Sequence, residues 1–239
     1  MPFPSLYVSI GLEFLSGTVA LLVSYYAFHY TRLIENSRLR FIGIGFLLLG
    51  LGLLAEASIV SMAVLLSTDV FANRLIALES ATAFSFLQVV AYLLIMLGYT
   101  RRESPPQASS LSNDGSKSTA SLLIALPVLA ITGYRKIFEL IHFSREVIVL
   151  SSVLSVAFLI MIVIQDATSY KENRNKVAML VLSSFVLILL AEILSLVSAL
   201  MVSVTLNLIG TVVQFVGFLT LLVFLLARSR IGSTREASQ

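Results

Sequence analysis

Charge is scarce in this chain of 239 residues: only 12% are Asp, Glu, Lys or Arg, against roughly 25% in a typical soluble domain. Apolar residues fill the difference, at 58% hydrophobic with a mean hydropathy of +0.97. A water-soluble fold could not hide that much apolar surface, so the solvent for most of the chain must be lipid. Cysteine is absent, which removes disulfides and thiolate metal sites and leaves the redox compartment unread. The N-terminal stretch MPFPSLYVSIGLEF has neither a basic n-region nor a clear small-residue cleavage site, so the first helix is expected to be retained. The net charge of +3 and pI near 9.3 do not indicate nucleic acid. The cations sit in short clusters between apolar runs, as in membrane loops.

What is present in quantity is long apolar sequence. A bilayer core of about 30 Å needs roughly 20 residues of apolar helix. Seven segments meet or approach that: 5–29, 41–66, 76–99, 118–134, 147–165, 177–202 and 205–227. Strands of a membrane barrel would alternate polar and apolar residues, whereas these runs are apolar on all sides. The expected fold is therefore all-α, a polytopic membrane protein of seven transmembrane helices.

The fourth segment is short and carries Pro127 in its middle, a residue that kinks helices but is tolerated in packed membrane bundles. Charge supports its crossing. With seven spans, Arg32, Arg38, Arg40, Arg101, Arg102, Lys117, Lys171, Arg174, Lys176, Arg228, Arg230 and Arg235 fall on one side. Arg74, Arg135, Lys136 and Arg145 fall on the other, a division of 12 to 4. The positive-inside rule makes the richer side cytoplasmic, with the N-terminus outside and the C-terminus inside the cell membrane. If the fourth segment stayed on one side, the later cations would move outside and the bias would collapse. The Ser/Pro-rich stretch 100–117 reads as a disordered cytoplasmic linker. RKIFELIHF, 135–143, reads as a short amphipathic helix on the outer surface.

The chain matches itself. A shift of 136 lays SRLRFIGIGFLLLGLGLLAE (37–56) over NRNKVAMLVLSSFVLILLAE (173–192), and Glu56 meets Glu192. Leu and Ala matches are cheap in lipid-facing sequence, but a glutamate inside a span is costly, so that pair carries the information. A shift of 126 lays FLQVVAYL (86–93) over VVQFVGFL (212–219), and Gln88 meets Gln214. The expected organisation is 3+1+3, with both triplets in the same orientation. It comprises a three-helix repeat over 1–99, the linker, a connector over 118–146 holding the fourth helix and the amphipathic stretch, a second repeat over 147–228 and a cytoplasmic tail over 229–239.

This plan is similar to that of the SWEET sugar transporters and their PQ-loop relatives, and microbial rhodopsins also have seven helices. The last span, 205–227, lacks the lysine that holds retinal in rhodopsins, and no Pro-Gln motif stands in the repeated helices. The clusters RLRFIGIGFLLLGLGLLAE and FLQVVAYLLIMLGYTRR resemble archaeal multi-pass membrane proteins of unknown function, especially three-helix haloarchaeal ones. That resemblance covers the first three helices and implies no activity.

Four glutamates lie inside or at the edge of spans: Glu13, Glu56, Glu79 and Glu192. On the expected topology all lie toward the outside. Glu56 and Glu192 are each roughly 15 Å below their helix ends at 1.5 Å per residue. No Lys or Arg sits at their depth to pair with them. Carboxylates so placed are protonated or meet an incoming cation. With Gln88 and Gln214 at similar depth, the six residues outline an outward-facing acidic cavity for protons, a metal cation or a basic organic ligand. Glu56–Gln88 and Glu192–Gln214 are the expected partners. The competing reading makes each glutamate protonated helix-to-helix glue, a bond of about 0.6 kcal/mol on average.

His29 and His142 fall on opposite membrane faces and cannot share a haem, and no resident metal or cofactor is expected. The tyrosines Tyr7, Tyr25, Tyr26, Tyr30, Tyr92, Tyr99 and Tyr134 mostly lie near span ends and read as aromatic-belt anchors. Gly43, Gly45, Gly50 and Gly52 allow close helix approach. The Arg/Lys clusters are expected to bind anionic lipid heads. No phosphate loop, nucleophile triad or metal-hydrolase signature occurs, so an enzyme is not expected. Three functions remain: transport or cation binding through the cavity, a non-catalytic subunit of a membrane complex with a protein partner or second copy, and a seven-helix sensor acting through a separate protein.

Overall fold

The computed structural model describes residues 4–34, 37–66, 70–100, 144–173, 176–201 and 203–236, and its regular elements are helices. They are α1 (Pro4–Ile34), α2 (Ser37–Leu66), α3 (Val70–Thr100), α4 (Ser144–Asn173), α5 (Lys176–Met201) and α6 (Val204–Glu236). With 26 to 33 residues each, they run about 39 to 50 Å at 1.5 Å per residue. That exceeds the roughly 30 Å of a bilayer core. All six are long and apolar enough to cross a membrane, the pattern of a multi-pass membrane protein. The expected fourth span at 118–134 and amphipathic stretch at 135–143 lie outside the described residues, as does the linker beyond Thr100.

Several helices outrun the apolar segments that announce them. α3 starts at Val70 instead of 76, and α6 continues to Glu236, through most of the expected tail. α4 continues to Asn173, eight residues past its expected end at 165, and so takes in Asp166. The physical reason is that apolar length marks where lipid stops, while a helix continues as long as its backbone bonds are best met within it. Gln, Glu and Lys in QDATSYKEN are adequate helix formers and do not break it.

α1 packs on α2, α2 on α3, α5 on α6 and α1 on α6. Among the described residues α4 makes no comparably close backbone approach, so the two sets of three helices do not pack alike. Where helices close up, glycine is required. A Cβ on Gly50 would stand 2.9 Å from the Gly17 carbonyl oxygen of α1, and one on Gly45 would stand 2.8 Å from the Ala91 carbonyl oxygen of α3. In lipid there is little hydrophobic drive between helices, so such close approach is a main source of their adhesion. Interhelical hydrogen bonds add to it. Ser24 Oγ donates to the Gly43 carbonyl at 2.8 Å, and Tyr30 OH donates to the Leu225 carbonyl at 3.2 Å.

The centre is an aromatic and aliphatic layer. Phe46 of α2 packs against Phe185 of α5 at 6.4 Å and edge-on to Phe218 of α6 at 6.0 Å. Leu159 and Ile162 of α4, with Ile188 of α5, are fully buried in the same cluster. The α5–α6 turn is held by side chains. Ser198 Oγ donates to the Ser203 carbonyl at 2.8 Å, and Ser203 Oγ accepts from the Leu206 amide at 3.4 Å, which is an N-cap bond.

Candidate functional site

The helices place polar side chains around one cavity of about 210 Å³. Glu13 comes from α1, Glu56 from α2, Gln88 from α3, Glu192 from α5 and Gln214 from α6. Ser152 of α4 and Ser195 of α5 add hydroxyls to the wall, and among the described residues no Lys, Arg or His lines it. Five of the six residues singled out in the sequence therefore share one space. Glu79 belongs to α3, and its side chain lies outside the described residues.

Three carboxylates line this space, and two of them are closely engaged with neighbours. Ser9 Oγ, one turn earlier on α1, donates to Glu13 Oε1 at 3.1 Å. Glu56 lies within electrostatic reach of Glu13. Two carboxylates in that relation repel when both are ionised, and a proton or a cation relieves the repulsion. Glu192 is held differently. Its Oε1 accepts from the Gln88 amide and from the Tyr92 hydroxyl, the latter at 3.1 Å. Gln88 and Tyr92, four residues apart on α3, are themselves linked at 3.5 Å, as the helical repeat allows. Gln214 reaches the same hydroxyl from α6. Glu192, Gln88 and Tyr92 are all buried.

This corrects two expectations. The amide that bonds Glu192 is Gln88, from the first set of helices, and not Gln214. Helices α3 and α5 face each other across the cavity, so the bond crosses between the sets. Tyr92 is not a belt anchor: at 1% exposure it is a core residue. A phenol is tolerated there because its hydroxyl has partners. A signal was present, since FLQVVAY puts Gln88 and Tyr92 one turn apart on one helix face.

A second polar location was missed altogether. Asp166 of α4 is buried at 8% exposure, and its Oδ2 has no hydrogen-bond partner. Gln165 Oε1, on the same turn, is also buried without one. The Tyr99 hydroxyl of α3 lies against Asp166, while the Tyr99 ring packs edge-on to Phe185 at 5.7 Å. The sequence hid Asp166 because it follows the apolar run directly and reads as the first residue of a loop.

These contacts also orient α3 and α4. Gln88 and Ser152 line the cavity, whereas Tyr99 and Asp166, further along the same helices, meet elsewhere. The two helices therefore run in the same direction. His29 is exposed at the end of α1, stacked on Tyr25 at 6.4 Å. His142 lies outside the described residues. Among the described residues no group of three His, Asp or Glu is spaced to hold a metal ion. Comparison with protein-family models, curated proteins and solved structures yields no match.

Proposed function

We propose that this protein binds and moves a small cation, or a basic organic solute, through the acidic cavity. The observation that carries the reading is the convergence of Glu13, Glu56 and Glu192, from three helices, on one space that no basic side chain lines among the described residues. Ionisable groups at membrane depth cost several kcal/mol unless something compensates them, and they mark solute paths more often than structural positions. The volume, about 210 Å³, is below the roughly 300–1,000 Å³ of drug-sized sites. It suits a small solute.

The topology that goes with this reading has seven spans, the cavity opening outward and the C-terminus in the cytoplasm. Its support is the parallel course of α3 and α4, because a chain joining the end of one to the start of the other must return across the membrane. Within it, α1–α3 and α4–α6 are two copies of one unit. Both members of each repeat match, Glu56 with Glu192 and Gln88 with Gln214, line the cavity. The shift that pairs the glutamines also pairs Tyr92 with Phe218. Only one copy thus supplies a phenol hydroxyl at this matched position, which gives a physical reason for the two glutamates being held unequally.

Uptake of labelled guanidinium into proteoliposomes tests the function. Guanidinium is a permanently charged donor-bearing cation that crosses lipid poorly. Uptake should exceed that of empty liposomes and fall in Glu56→Gln and Glu192→Gln, which are close to isosteric. Wild-type uptake equal to the empty control would sink the transport reading. A stoichiometric protein partner recovered in mild detergent would then favour the subunit reading.

A further inference from the structure

We propose that Asp166, with Tyr99, forms a second cation site, on the far side of the central apolar layer from the acidic cavity, and that its occupant is a small monovalent cation.

The geometry separates the two places. Ser152, in the cavity wall, and Asp166 are fourteen residues apart on α4, about 21 Å along the axis at 1.5 Å per residue. Ser152, Ser155, Leu159, Ile162 and Asp166 follow the spacing of one helix face, and all five are buried. The face is thus polar at both ends and apolar in the middle. Leu159 and Ile162 are at 0% exposure, packed in the cluster that holds Phe46, Phe185 and Phe218. Tyr92 and Tyr99, seven residues apart on α3, repeat the arrangement: one hydroxyl meets Glu192, the other lies against Asp166. A tyrosine–carboxylate pair therefore stands on each side of the apolar layer.

The chemistry at the second place is incomplete as it stands. Asp166 Oδ2 is a buried acceptor without a hydrogen-bond partner among the described residues. A buried polar group left unpaired costs free energy, and a carboxylate costs far more than an amide. A cation small enough to enter satisfies the free oxygen and neutralises the carboxylate. One carboxylate neutralises one charge, so a monovalent ion fits; a divalent ion seeks more carboxylates and a fuller oxygen shell. The inference rests on the cation-path reading only for what passes between the sites. The site itself is defined by its own residues.

The test uses the wild-type protein in lipid nanodiscs and a carbodiimide that modifies carboxyl groups, with each adduct located by peptide mass spectrometry. The reaction is run in the chloride salts of sodium, potassium, guanidinium or N-methylglucamine at equal millimolar concentration. N-methylglucamine, the bulkiest of the four cations, sets the reference. The adduct at Asp166 should fall about threefold in at least one of the other three salts when that ion is present at about twice its dissociation constant. The salt that protects names the ion. Asp166→Asn should remove the adduct from its peptide, which checks the assignment. Equal labelling in all four salts would overturn the proposal and leave a buried carboxyl with a water. So would no labelling of Asp166 in any salt. Adducts at Glu56 and Glu192 are read in the same digest. Protection at Asp166 without protection there would keep this site and remove the cavity reading.

Discussion

Glu192 of α5 accepts a hydrogen bond from Gln88 of α3, joining helices 104 residues apart in sequence, and Tyr92 donates to the same carboxylate oxygen. In a bundle held largely by close packing, this is a buried polar tie between two helices. Its consequences can be measured separately from solute binding.

A double-mutant cycle between Gln88→Leu and Glu192→Leu should give a coupling of about 0.6 kcal/mol, the average for polar helix pairs in membranes, and up to about 1.7. Tyr92→Phe removes one donor and should cost about 1 kcal/mol. Denaturant unfolding in mixed micelles reads both. Zero coupling would mean that the two side chains do not meet in the folded protein.

The glycines of α2 should respond according to what lies opposite them. Gly50→Val and Gly45→Val drive a side chain into the backbone of α1 or α3, where a Cβ would already stand within 2.9 Å of a carbonyl oxygen. Overpacking of this kind costs about 1–3 kcal/mol. Gly11→Ala meets nothing within 4 Å and should be neutral, or stabilising by up to about 1 kcal/mol through helix propensity. Thermal melts of the three variants should fall in that order.

Phe185→Ala should be among the most damaging apolar truncations, at about 3–5 kcal/mol, since Phe185 touches Phe46 and Tyr99 and is buried. Leu150→Ala and Met161→Ala on α4 are exposed and should change stability by less than about 0.5 kcal/mol. Those side chains face lipid, which is as apolar as they are. A large loss at Leu150 or Met161 would show that the exposed face of α4 packs against protein.

The absence of native cysteine makes the topology directly testable. Single cysteines placed at residues 36 and 175 should react with a membrane-impermeant thiol reagent from the same side, and one at 203 from the opposite side. On the proposed topology the first two are cytoplasmic. Reaction of 36 and 175 from opposite sides would break the parallel arrangement of the helix sets.

Ser203→Ala removes the side-chain cap on α6 and the N-cap bond to Leu206. The expected cost is about 0.5–2 kcal/mol, with faster hydrogen exchange at the start of α6 as the local readout. Unchanged exchange there would place the cap elsewhere.

The sequence by itself determined that the chain is helical and membrane-embedded, because apolar length and scarce charge leave lipid as the only solvent and helices as the elements whose backbone bonds close internally. It also marked Glu13, Glu56, Glu192, Gln88 and Gln214, since polar residues at membrane depth are rare enough to stand out one at a time. It did not reveal where Asp166 belongs, because a carboxylate one residue past an apolar run looks like loop until the helix is seen to continue. Nor did it reveal which amide meets which glutamate, or that Tyr92 is interior. Those depend on how α3, α4 and α5 face one another, and lipid-soluble helices carry little pattern to announce their facing. Only the tertiary structure, through close backbone approach at small residues and a few interhelical bonds, decided that.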